Sequence, residues 1–103
     1  MLDQFSAQTF ESYLDETFAI LFDDPAQLPG VLRLVEVTEL GEVGSTSGTL
    51  KRRPFSLIFQ EANGAVRPQQ IYHLAHPEVG DFDVFLVPIA SDSRGTHYQA
   101  IFS

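Results

Sequence analysis

Hydrophobic and polar positions change period along the chain, and the changes mark its elements. Ser6 and Thr9 are candidate helix N-caps, and Phe10, Tyr13 and Leu14 then fall at i, i+3 and i+4 on one face. That spacing predicts a short helix over about residues 6–15, with Leu2 and Phe5 packing from before it. A helix this short needs a sheet to lie on. From Thr17 the period becomes two, with Phe18, Ile20 and Phe22 alternating with Thr17, Ala19 and Leu21 until Asp23-Asp24-Pro25 ends the strand. After the Pro29-Gly30 turn, Val31 to Leu40 is β-rich. Leu32 and Leu34 share one parity and Val35 and Val37 the other, which predicts a β-bulge near Glu36 or a strand covered on both faces.

Three glycines and four Ser/Thr residues within 41–49 mark a flexible loop running to Arg53. Pro54 opens a strand with Phe55, Leu57 and Phe59 inward, and Asn63-Gly64 is a hairpin signal. Gln69 to Ala75 forms a strand with Tyr72 and Leu74 on one face. Residues 76–80 turn, and Phe82 to Ile89, apolar on both parities, reads as a central strand, with Pro88 marking an edge or bulge. Ser91 to Gly95 turns, and Thr96 to Phe102 is the final strand, with Tyr98, Ala100 and Phe102 inward. The connections are short, which favours antiparallel neighbours. The expected fold is mainly all-β: a six-stranded antiparallel small barrel or two-layer sandwich, with a short N-terminal helix over an open end, in one domain spanning 1–103.

Composition narrows the function. The chain has 103 residues, nine of them Phe, and no Cys, which removes disulfides, thiolate nucleophiles and Cys-based zinc sites. It lacks an apolar run long enough to span a membrane and a basic-then-apolar leader, so a cytoplasmic protein, free or assembled into a larger particle, is expected. The net charge of −8 is local: residues 1–50 hold nine acids and one base, and residues 51–103 hold five of each. An acidic surface repels phosphate backbones and anionic lipid, so neither nucleic acid nor membrane is an expected partner. Asp23, Asp24, Glu36 and Glu39 are candidates for steering a basic protein partner. Lys51, Arg52 and Arg53 form the one basic cluster, a candidate contact to a partner or to the acidic half, or a guard on a strand edge.

Catalytic patterns are thin. His73 and His76, with Glu78 or Asp81 close by, are the metal candidates. On a strand, however, positions 73 and 76 point to opposite faces, and a His76 ring bonded to the backbone of its own turn is the simpler expectation. No metal and no cofactor is expected. Ser91, Asp92, Ser93 and His97 hold the residue types of a hydrolase triad without a nucleophile elbow. The pairs Asp15-Glu16 and Asp23-Asp24 read as a solvated rim.

The runs Pro54-Phe55-Ser56-Leu57-Ile58-Phe59, Ile71-Tyr72-His73-Leu74-Ala75-His76-Pro77 with Gly80, Phe85-Leu86-Val87-Pro88-Ile89, and Gly95 with Tyr98-Gln99-Ala100-Ile101-Phe102, opened by Tyr13-Leu14-Asp15-Glu16-Thr17-Phe18, resemble a small bacterial all-β domain family of unknown function. The resemblance spans about residues 10–102 and brings no catalytic residues. It implies proximity to phage-tail-like or collar proteins, and hence a structural or accessory role. The expected function is therefore a non-enzymatic domain working through protein partners or self-association. An acidic inhibitor or immunity-type protein, and a ligand-binding β-barrel with a Phe-rich interior, are the alternatives.

Overall fold

The computed structural model describes residues 6–23, 26–27, 29–39, 54–62 and 66–102. Ser6 and Thr9 cap helix α1 (Ala7–Glu11) reciprocally: the Ser6 hydroxyl accepts from the Thr9 N–H at 3.4 Å, and the Thr9 hydroxyl accepts from the Ser6 N–H at 3.1 Å. Such a box satisfies two backbone donors that a helix start leaves open. The helix is shorter than its apolar spacing predicts. Residues 12–15 turn the chain toward the sheet, and Asp15 adopts a φ of 71°, a left-handed conformation that Asp tolerates. Phe10 is therefore fully buried, Tyr13 packs at the core's margin, and Leu14 is left 41% exposed instead of joining the buried face.

Six strands follow: β1 (Thr17–Leu21), β2 (Gly30–Glu39), β3 (Phe55–Glu61), β4 (Gln70–His76), β5 (Gly80–Asp92) and β6 (Gly95–Phe102). They close into an antiparallel barrel in the order β1-β2-β3-β6-β5-β4. Two three-stranded meanders, β1-β2-β3 and β4-β5-β6, are zipped together by β3–β6 and by β1–β4 pairing. This settles the choice between barrel and sandwich. It also overturns the hairpin expected at Asn63-Gly64. Those two residues lie outside the described residues, but the strands on either side, β3 and β4, are not neighbours. They stand on opposite sides of the ring.

Two irregularities fall where the sequence parity breaks. The β2–β3 register shifts between Leu34 and Glu36, making Val35 the extra residue and returning Val37 to the core side. The β5–β6 register shifts between Pro88 and Ala90. Pro88 has no N–H to give to the ladder, which suits it to a bulge.

Inward positions fill the barrel. Phe18, Ile20, Leu32, Leu34, Phe55, Leu57, Phe59, Leu74, Tyr98 and Ala100 are wholly buried. Phe10 enters from α1 and meets Phe18, Phe55, Phe82 and Phe102 at centroid distances of 5.6–6.3 Å. Phe55 and Phe102 stack at 4.7 Å, nearly parallel. β5 is central in its meander, between β4 and β6, and its faces alternate, with Phe82, Val84 and Leu86 inward and Phe85 48% exposed. No helix among the described residues is long and apolar enough to cross a membrane.

Candidate functional site

The histidines separate as strand parity dictates. His76, at the inward end of β4, is 6% exposed. Its Nδ1 accepts the backbone N–H groups of Glu78 and Val79 at 3.0 and 3.2 Å, and its Nε2 meets Glu16 Oε1 at 2.7 Å. Two donors on Nδ1 place the ring proton on Nε2, where it is donated to the carboxylate. The ring also lies 4.8 Å from Tyr13 and 4.7 Å from Phe18, centroid to centroid. His76 thus fastens the turn after α1 to the β4–β5 turn. Desolvation pushes the Tyr13 phenol up, with the Glu78 carboxylate adding to the shift. All of His76's ring nitrogens are spent on holding the fold.

His73 is on the outer wall. Its Nδ1 meets Asp83 Oδ1 at 2.8 Å and its Nε2 meets Asp81 Oδ2 at 3.3 Å. Carboxylates only accept, so satisfying both requires the imidazolium with a proton on each nitrogen. These bonds, Asp83's first and Asp81's second, raise the His73 pKa above the ordinary histidine value. His73, His76 and Glu78 therefore do not converge on one centre. The described residues hold no group of three His, Cys, Asp or Glu side chains arranged for a metal ion.

The proposed steering acids are likewise divided. Asp23 follows β1 and lines a hollow of about 300 Å³ with Leu21, His73 and Asp83. Glu36 is exposed on β2 and accepts from the Thr38 hydroxyl at 2.9 Å. Glu39, opposite Phe55, ends β2 at the other end of the barrel from Asp23. Asp24, Lys51, Arg52 and Arg53 lie outside the described residues, as does the whole of the expected 41–53 loop. The triad residue types are occupied in a turn: Asp92 Oδ1 accepts the Arg94 N–H at 2.8 Å, and Ser91 Oγ lies 3.4 Å from Thr96 Oγ1.

What the barrel does present is an apolar outer face. Ile71 on β4 pairs with Phe85 on β5, and continuing the β5–β6 register from Val87–Gln99 places Ile101 of β6 across from Phe85. These three are 66%, 48% and 58% exposed. Asp83 and Asp81 lie along the same strand as Phe85, beside His73. Every strand has neighbours on both sides, so the described barrel offers no free edge for strand addition and none for a basic cluster to guard. The face was legible only in part. On β5 the parity of Asp81 and Asp83 marks the outward side, and Phe85 and Val87 on the same parity obscure it.

A closed six-stranded antiparallel barrel with a short capped helix carrying Phe10 into one end is the class defined here. The chain belongs to a family described as a domain of unknown function, DUF6916, whose model matches residues 5–102. No curated protein and no solved structure matches the chain.

Proposed function

We propose that the chain is a non-enzymatic structural or accessory domain that works through protein contacts on its outer wall. The observation that carries this reading is the exposed row Ile71–Phe85–Ile101 on three adjacent strands. Contiguous apolar surface of this kind marks contact sites, where isolated exposed aliphatics do not. The acids Asp23, Asp81 and Asp83 beside that row favour a partner with an apolar centre and basic groups at its rim. In its finer form, the proposal places the domain as a subunit of a phage-tail-like assembly. The packed interior gives less support to ligand binding, because ring-to-ring contacts occupy the volume a ligand would need.

The test places a photo-crosslinking amino acid at 71, 85 or 101, and at Thr38 on the β2 side, in cells that make the protein. The reading expects the same discrete adduct from the first three sites, competed by purified wild-type domain but not by Phe85→Asp. Adducts that are absent, or equally strong from position 38, would overturn it. The acidic-inhibitor alternative predicts association that slows steeply with salt, whereas apolar contact predicts weak salt dependence.

A further inference from the structure

On the wall away from the apolar face, one register row runs across four strands: Thr17 opposite Arg33, Arg33 opposite Gln60, and Gln60 opposite His97. All of these point outward. The β5–β6 turn carries Arg94 to the same place. Thr17, Val31, Arg33, Gln60, Ala62 and Arg94 line a hollow of about 470 Å³ there. Gln60 ties the two arginines together: its Oε1 accepts from Arg33 Nη2 at 3.0 Å, and its Nε2 donates to the Arg94 carbonyl at 3.4 Å. The Arg94 N–H is fixed by Asp92 Oδ1 at 2.8 Å, so the turn that holds this arginine is itself pinned.

The electrostatics are unusual for this chain. The protein carries only six Lys and Arg residues against fourteen acids. Two of the six converge on a hollow whose lining, among the described residues, contains no acid. Among the described residues, neither guanidinium meets a carboxylate, although acids outnumber bases across the molecule. Arg67, by contrast, is paired bidentately with Glu61. A guanidinium presents five N–H donors in a planar fork that matches carboxylate and phosphate oxygens. Arg33 has spent one such donor on Gln60, which orients the fork without neutralising it. Val31, 56% exposed, and Ala62 supply an apolar floor.

We infer that this hollow is an oxyanion-binding site, taking a carboxylate or phosphate group carried on a short apolar stem. The inference is independent of the apolar face and stands or falls apart from it. The overall charge of −8 repels anions in general. Saturable anion binding must therefore come from local geometry and not from bulk attraction.

The test titrates the whole chain with inorganic phosphate in one arm and propionate in the other, at constant ionic strength, reading backbone amide and arginine Nε–H signals by NMR. Saturable shifts confined to Thr17, Val31, Arg33, Ala62 and Arg94 are expected with at least one probe, and the tighter arm identifies the ligand class. Arg94→Gln and Arg33→Gln should each weaken that probe by about tenfold or more, the scale of a lost charged hydrogen bond. Thr38→Asp, which shifts the net charge by the same amount at an exposed β2 position outside the hollow, should leave it unchanged. Gln60→Glu supplies a carboxylate from within, so it should abolish binding while holding or raising the melting temperature. Shifts that fail to saturate in both arms, or equal weakening by Thr38→Asp and Arg94→Gln, would overturn the site.

Discussion

The two mouths of the barrel are closed by opposite chemistry. At the mouth where β1, β3 and β5 begin, α1 drops Phe10 into a ring of four aromatic side chains, and His76 pins the following turn. At the other mouth, Arg67 and Pro68, just before β4, are held by polar groups of β3, β4 and β6. The Arg67 guanidinium donates from Nε and Nη2 to the Glu61 carboxylate at 2.9 and 2.7 Å. It also lies 5.8 Å over the Phe22 ring. The Arg67 N–H donates to the Tyr98 hydroxyl at 2.8 Å, and the Tyr72 hydroxyl donates to the Pro68 carbonyl. This side needs small residues. A Cβ on Gly30 would run into the Arg67–Glu61 pair, and Gly95, with a φ of 132°, faces the Glu61 carbonyl where a Cβ would stand. The comparison shows why each cap takes its form. A helix can bring a large apolar side chain end-on into a barrel. A segment without helix or strand pairing carries open backbone polar groups, as Arg67 and Pro68 do here, and those must find partners.

The largest expected effect is at the aromatic mouth. Phe10→Ala removes a wholly buried ring and should cost about 3–5 kcal/mol, a large part of the roughly 5–15 kcal/mol that holds a typical domain. Denaturant melts check this, and a loss below about 1 kcal/mol would mean that α1 does not seal the barrel. At the polar mouth, Arg67→Met leaves the Glu61 carboxylate, 12% exposed, without its partner. A loss of about 1.5–3 kcal/mol is expected, on the scale of hydrogen bonds to charged groups. Adding Glu61→Gln should recover part of that loss in a double-mutant cycle. Full additivity would show the pair to be uncoupled.

Legibility in the sequence follows the same division. The inward sets on β3, β4 and β6 follow from strict alternation of Phe55, Leu57 and Phe59, of Tyr72 and Leu74, and of Tyr98, Ala100 and Phe102. Both bulges were marked, one by the parity break around Val35 and one by Pro88. The backbone capture of His76 by its own turn followed from its position before Pro77. Ring closure was not legible. The β1–β4 and β3–β6 pairings join residues far apart in the chain, and no local pattern records which strand meets which. For the same reason Asn63-Gly64 pointed to a hairpin between strands that are not neighbours. Arg33, Gln60 and Arg94 are brought to one hollow only by the final register.

Smaller effects refine the comparison. Ser6→Ala removes the hydroxyl side of the capping box and should cost about 1 kcal/mol by thermal melts, well short of Phe10→Ala. If the two matched, the cap and not the ring would be what holds α1. His73 serves neither mouth and should contribute least. Its pKa is raised in the folded protein by Asp83 and Asp81, so its stabilisation is complete below the unfolded value of about 6.5. That contribution is lost as pH rises through the folded pKa. A slight fall in melting temperature from about pH 6 to about pH 9 is expected, smaller in Asp83→Asn. NMR titration of the His73 ring should give a midpoint above about 6.5, and a midpoint below it would contradict the geometry.

With both mouths closed and the interior packed, the account holds that this domain acts with its outer wall and not with its lumen. Titration with a neutral apolar probe such as n-butanol, followed by NMR at methyl and ring protons, tests that claim most directly. The account predicts shifts at Ile71, Phe85 and Ile101, with Tyr72, Leu74, Leu86 and Tyr98 unmoved. Saturable shifts at the inward set, with the outer row silent, would contradict it.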